Sequence, residues 1–557
     1  MATSKRSSNA LRLWPAYLIL AGAAAALVWI WASSELPLPM SKVTASVITA
    51  VFTLLLLLLW WLLLSRAGWL TRLAVLAGLG ALGWTAGRFL EVRGVSGDLV
   101  PQVAWRTAAT PAPPDVLPSP APPPASPTPA PTTDVDEALR AETEGTAEPS
   151  PSEAEAAEAD PAAEGPANPL DFPQFLGPAR NATLKGRHLA SGWDRQPPIE
   201  VWRHSMGTGW SGFAVADGLA VTQEEREGRE RIVAYDLETG RLQWSHQGGR
   251  GYQSAMTGNG PRATPTLHGG RVYAFGVRGV LSVLDLESGR LLFEKNVLVE
   301  NSAHTPDHGV AASPLVVDGN VIVVAGGPNG RSLVAYDAET GERRWSGGGD
   351  EAGYSSPIVA TLAGVRQIVV FNLRGLTGHD PQTGDVLWQD PWPDRPEKVS
   401  QPVILGDDRV FVSMGYGIGS RMVRIVRASD GSLRADVLWR SRRLKAKFTQ
   451  VVEHGGFLYG LDEGVLVCLD PADGERRWKS GRYGHGQILL VDDLLLVQAE
   501  DGEVVLIDPN PEELTEVARF PAVEGKVWAT PALAGDLLIV RSEIEAACYR
   551  LPTEAGA

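Results

Sequence analysis

Cysteine is nearly absent: 557 residues carry two, Cys468 and Cys548. A disulfide framework is therefore excluded as a source of stability. The two fall at equivalent positions of a repeat, two units apart, farther than a disulfide tolerates, so both read as small core residues. The negative charge is unevenly spread. The formal net charge is −15, but residues 134–164 alone hold eleven acidic side chains against the single Arg140. The acidity therefore says little about the rest of the chain. No contiguous basic patch is present, which argues against a nucleic-acid partner.

Long apolar runs are confined to the N-terminal region. Residues 14–32, 43–64 and 70–90 read as three transmembrane helices, the first two clearing the roughly 20 residues that a bilayer requires. The first is too long for a cleaved signal peptide, and two more spans follow it. In the third, Gly83 and Gly87 have the four-residue spacing that suits close helix packing. Lys5, Arg6 and Arg12 precede the first span, and Arg66 and Arg72 lie between the second and third. With three spans, positive-inside logic puts residues 1–13 in the cytoplasm and the chain after the third span in the periplasm, anchored in a bacterial inner membrane; if the third, marginal segment does not span, the later chain is cytoplasmic instead. Residues 91–168 read as a linker: an extended Pro/Ala-rich spacer, then the acidic stretch as a solvated, self-repelling tether.

From residue 169 to 557 the chain is built from one pattern, A-x-D-x-x-T-G-x-x-x-W. It reads Ala234-Tyr235-Asp236 to Gly240 with Trp244, and recurs at Asp285 with Phe293, Asp337 with Trp345 and Asp380 with Trp388. Weaker copies stand at Asp430 with Trp439, Asp470 with Trp478, and Asp508. Successive aspartates are about 38 to 52 residues apart, the period of a four-stranded propeller blade. Two-residue turns such as Arg278-Gly279 and Asp501-Gly502 close hairpins within each unit, since such turns need positive φ. The aspartate is placed to bond the amides of the turn that the glycine completes, and the tryptophan to pack between blades. These residues are read as structural.

Unit starts at Ser211, Thr264, Ser313, Ser356, Gln401, Gln450, Gln487 and Thr530 give eight blades. A count of seven stays open, because the fifth and seventh units are degenerate. The last unit ends without its aspartate turn, while Ile199-Glu200-Val201-Trp202 stands orphaned before the first. Pairing the two closes the ring and removes an exposed sheet edge. The expected fold is thus all-β, an eight-bladed propeller of four-stranded antiparallel blades behind an α-helical membrane anchor.

These repeats resemble the PQQ-type repeats of quinoprotein dehydrogenases and of the propeller lipoproteins of outer-membrane β-barrel assembly. The segment Asp171 to Arg180, and the blocks Tyr483 to Gln487 and Glu524 to Trp528, look like those of a membrane-tethered bacterial branch. For the dehydrogenases the resemblance implies PQQ held over a tryptophan floor with calcium. This chain has no adjacent cysteines, no C-x-x-C-H haem motif and no long insertions in the repeat region, and no position matches a calcium ligand or a catalytic aspartate.

The segments before each unit start fall at the mouth of the central channel. They carry Trp210, Arg262, His308, Tyr354, Lys398, Lys447, His485 and Lys526, the candidate ligand-binding set. Cations converging there would focus a positive potential, suited to a small anionic ligand such as a quinone carboxylate or an acidic peptide. His304, Asp307 and His308 share one loop, a pattern compatible with a metal, though solvated loop histidines are the plainer reading. With no assignable catalytic set, the expected function is a membrane-anchored scaffold binding an envelope protein on a propeller face. The alternative is a PQQ-dependent dehydrogenase passing electrons from an alcohol or sugar to the membrane.

Overall fold

The computed structural model describes residues 13–33, 42–65, 68–97, 101–105, 168–254, 256–393 and 397–554. The acidic tether and the first twelve residues lie outside them. Three helices come first: α1 (Trp14–Ala32), α2 (Lys42–Leu63) and α3 (Trp69–Phe89). All three are long and apolar enough to cross a membrane. Trp31 Nε1 donates to Ser46 Oγ at 3.2 Å between α1 and α2. Gly83 and Gly87 meet no neighbouring atom among the described residues, so the close packing expected of them is not formed there.

The stretch assigned to a linker begins instead with structure. Strands β1 (Leu90–Val95) and β2 (Pro101–Trp105) pair antiparallel, with a bulge between Val92 and Gly94. Valines 92, 95 and 103 supply β-propensity there. The strand β1 starts at the residue after α3 ends.

Eight blades then form a ring. The first comprises Ala214–Ala216, Leu219–Arg226, Arg229–Asp236 and Leu242–Arg250, paired in that order. The others repeat this meander. Strand β3 (Thr183–Leu184) runs parallel to the innermost strand of blade seven, Gln487–Val491, as an unforeseen fifth strand. Strand β4 (Ile199–Ser205) is the orphan segment, and it completes blade eight with Ile199 opposite Arg550 and Trp202 opposite Cys548.

The repeat residues act across blade boundaries. Asp236 accepts from the Thr239 amide at 2.8 Å and its hydroxyl at 2.6 Å, fixing the turn before Gly240. The tryptophan of one blade lies on the glycine turn of the next: Trp244 Nε1 donates to Leu286 O at 2.9 Å, and a Cβ on Gly289 would come within 2.5 Å of the Trp244 ring. Trp202 on Gly240, Trp345 on Gly384 and Trp439 on Gly474 repeat the arrangement. Blade four departs from it. No atom approaches Gly431 of the degenerate fifth unit, and Trp388 Nε1 turns back to Gln367 Oε1 in its own blade.

The unit-start residues tie the inner rim together. Gly212 N donates to Thr264 Oγ1 at 3.2 Å, Thr264 N to Ser313 Oγ at 2.9 Å, Ser313 N to Ser356 Oγ at 2.9 Å and Ser356 N to Gln401 Oε1 at 2.6 Å. Small polar side chains stand here because each buried amide at the start of an inner strand needs a partner in the next blade. Cys468 and Cys548 are buried and unpaired, and burial pushes their thiols up to about 11 and about 12.

Candidate functional site at the channel mouth

One end of the central channel is floored by the opening segment of the propeller domain. Phe172 bridges to Val215 of blade one, and Leu267 N donates to Pro173 O. Arg180 is fully buried and donates to Pro314 O at 2.8 Å, Ser313 O at 3.1 Å and Gln174 Oε1 at 3.0 Å. Above this floor lies a cavity of about 390 Å³ with Phe175 in its lining.

Five of the eight candidate residues line that cavity: Trp210, Arg262, His308, Tyr354 and Lys447. The other three flank it. Lys398 is buried between the lining residues Glu397 and Val399, its ammonium donating to Pro393 O. The His485 ring packs on Phe448, with centroids 5.1 Å apart. Lys526 Nζ lies 4.1 Å from the Trp528 ring centre and 5.1 Å from that of Trp210, so it backs the two indoles.

The expected focus of positive charge does not form. Arg262 is spent on its own loop, donating to Gly258 O at 2.7 Å, to Thr257 Oγ1 at 3.1 Å and to Gly260 O, while its guanidinium stands 4.9 Å over the Tyr252 ring. Burial pulls it down to about 10. Burial also lowers Lys526, opposed by Glu543 and Glu500. Acidic groups share the mouth: Asp307 and Glu397 line it, and His308 Nε2 is 3.9 Å from Glu397 Oε1. The mouth is therefore of mixed charge, because each cation brought into a partly dry cavity requires a compensating acceptor.

Sequence reasoning missed the aromatic wall. Trp210 and Trp528 stand 4.9 Å apart between ring centres, and Phe448 and Trp528 5.0 Å. Glu500, also missed, organises that wall: its Oε1 accepts from Trp528 Nε1 at 2.8 Å and its Oε2 from the His485 amide at 3.0 Å. Glu500 sits in the turn between the second and third strands of blade seven, where the pattern asks only for turn residues, so no signal marked it.

Among the described residues no group of three or more His, Cys, Asp or Glu is placed to share an ion. His304 and Asp307 border a neighbouring surface cleft.

A family model described as outer membrane protein assembly factor BamB matches residues 228–480. The outer membrane protein assembly factor BamB of Burkholderia pseudomallei (strain K96243) is 24% identical over 336 residues, 52% of this chain and 84% of that protein. Among solved structures, BamB from Moraxella catarrhalis aligns at 14% identity and a TM-score of 0.46, over 64% of this chain and 100% of that one. Quinohemoprotein alcohol dehydrogenase from Comamonas testosteroni aligns at 14% identity and 0.49, over 72% and 84%.

Proposed function

We propose that this chain, a propeller of PQQ-type repeats, is a membrane-tethered scaffold of the cell envelope that binds other proteins. The observation that carries this reading is the match of residues 228–480 to outer membrane protein assembly factors. The mouth fits this reading, since its residues form a mixed-charge aromatic cleft. In this reading α1 to α3 anchor the chain in the inner membrane with its N-terminus cytoplasmic, and the propeller stands in the periplasm. A propeller offers two faces and many loops at fixed separation, which suits simultaneous contact with more than one protein.

Two measurements test this. Both native cysteines are buried, so single engineered cysteines report topology over a silent background. Glu342→Cys on an exposed turn is expected to react with an impermeant maleimide in spheroplasts, and Ser4→Cys only after lysis. The opposite pattern overturns the placement. In parallel, in-membrane crosslinking of the full chain is expected to trap a defined envelope protein, while titration with PQQ and calcium leaves the tryptophan fluorescence unchanged. Saturable PQQ binding with dye reduction on alcohols or sugars would overturn the scaffold reading.

A further inference from the structure

The wall around Glu500 holds one ligand already, and it comes from the far end of the same chain. Gly97 follows β1, which itself starts where α3 ends. Its amide donates to Glu500 Oε1 at 2.7 Å, the oxygen that also accepts from Trp528 Nε1. Its carbonyl accepts from Lys447 Nζ at 2.5 Å, and Lys447 Nζ in turn lies 4.8 Å from the Tyr416 ring centre. Both bonds are charge-assisted, the stronger kind. Gly97 is buried, and Ser96 and Gly97 both line the cavity. The fit admits only glycine: a Cβ at this position would overlap the His485 imidazole and come within 2.9 Å of His485 Cβ.

We propose that the channel mouth is a receptor for a peptide turn, and that its resident ligand is the Ser96-Gly97 turn of the juxtamembrane hairpin. A carboxylate and an ammonium read the N–H and C=O of a single glycine. The ligand is recognised by backbone, so the site takes a tight glycine turn rather than a free anion. Turn and mouth belong to one chain, so docking is intramolecular and even a modest intrinsic affinity keeps the mouth filled. This deepens the scaffold reading by assigning the faces. The mouth face is held within about 26 Å of the end of α3, the reach of the eight extended residues from Leu90 to Gly97. The opposite face and the rim loops are left for partners, and a partner using the mouth must displace the turn.

The test is oxidative crosslinking of the full chain in detergent, with Gly97→Cys paired with His485→Cys, which removes the imidazole that a Cβ at residue 97 would meet. Rapid disulfide formation is expected, confirmed by mapping the linked peptides, against none for Gly97→Cys paired with Glu238→Cys on the outer turn of blade one in a His485→Ala background. Equal rates in the two pairs, or no bond in either, overturns the proposal. Because the variants could themselves perturb the loop, hydrogen exchange at the Gly97 amide supplies a second readout. Protection is expected in the native chain, with a tenfold or greater loss in Gly97→Ala and an unchanged melting temperature of the propeller. Unprotected exchange in the native chain refutes it. A cyclic peptide spanning residues 92–103 is expected to bind the Gly97→Ala chain, whose mouth is vacated, and not the native one; failure to bind overturns the receptor claim. None of these measurements needs an envelope partner, so their failure and that of the scaffold reading are separable.

Discussion

Arg541 in the last blade donates from Nη1 to the carbonyl of Ser211 in the first at 2.9 Å, across the seam where the ring closes. The same guanidinium reaches Gln223 O at 2.7 Å, Thr222 Oγ1 at 3.0 Å and Gly207 O at 3.1 Å. Strand β4 supplies the ladder of the closure, but this side chain satisfies the inner carbonyls that the ladder does not reach. Arg541→Ala would leave buried acceptors without donors, a loss of about 3–5 kcal/mol. Urea unfolding of the native and variant chains checks this; a loss under about 1 kcal/mol would show that water or main-chain relaxation takes over the role.

The tryptophan-on-glycine contact separates two costs of replacing a turn glycine. Gly289 has φ +68 and Trp244 stacked above it, whereas Gly431 has φ +86 and open space. Gly431→Ala should cost only left-handed strain, about 1 kcal/mol. Gly289→Ala adds displacement of a buried indole and its 2.9 Å bond to Leu286 O, so a further 1–3 kcal/mol is expected. Melting temperatures of the two variants decide it, and equal shifts would mean that the indole contact contributes little.

The architecture was legible because each blade repeats a local rule. Asp236 must cap its turn, Gly240 must take positive φ, and Trp202 needs a partner, so the period, the ring and the closing strand follow from residues within one unit. Where the rule weakens, the geometry changes with it, as Trp388 shows by turning from Gly431 to Gln367. The mouth was half legible. Its position followed from topology, but its charge balance did not. Glu397, Glu500 and Trp528 lie in loops whose lengths vary, and their roles depend on which neighbour each one faces. The docking of Gly97 was hidden for a stronger reason. Its partners Lys447 and Glu500 lie 350 and 403 residues away, and no local pattern records a contact over that distance.

A buried carboxyl between blades one and two adds a pH-dependent contribution to stability. Glu230 Oε1 accepts from the Val277 amide at 3.0 Å, and burial pushes its carboxyl from 4.5 up to about 7, with Glu225 adding to the rise and Arg262 and Arg278 opposing it. The folded state therefore holds a proton that the unfolded state releases between pH 4.5 and about 7. Bound protons favour the native state, so this contribution is complete below pH 4.5 and is lost as pH rises through about 7. The shift corresponds to about 3 kcal/mol. Glu230→Gln keeps an oxygen for Val277 but cannot ionise, so its stability should fall less between pH 5 and pH 8 by roughly that amount. Urea midpoints for both chains at the two pH values measure the difference. Parallel pH profiles would mean that Glu230 ionises in the folded chain as easily as in water, with its charge met by the two arginines.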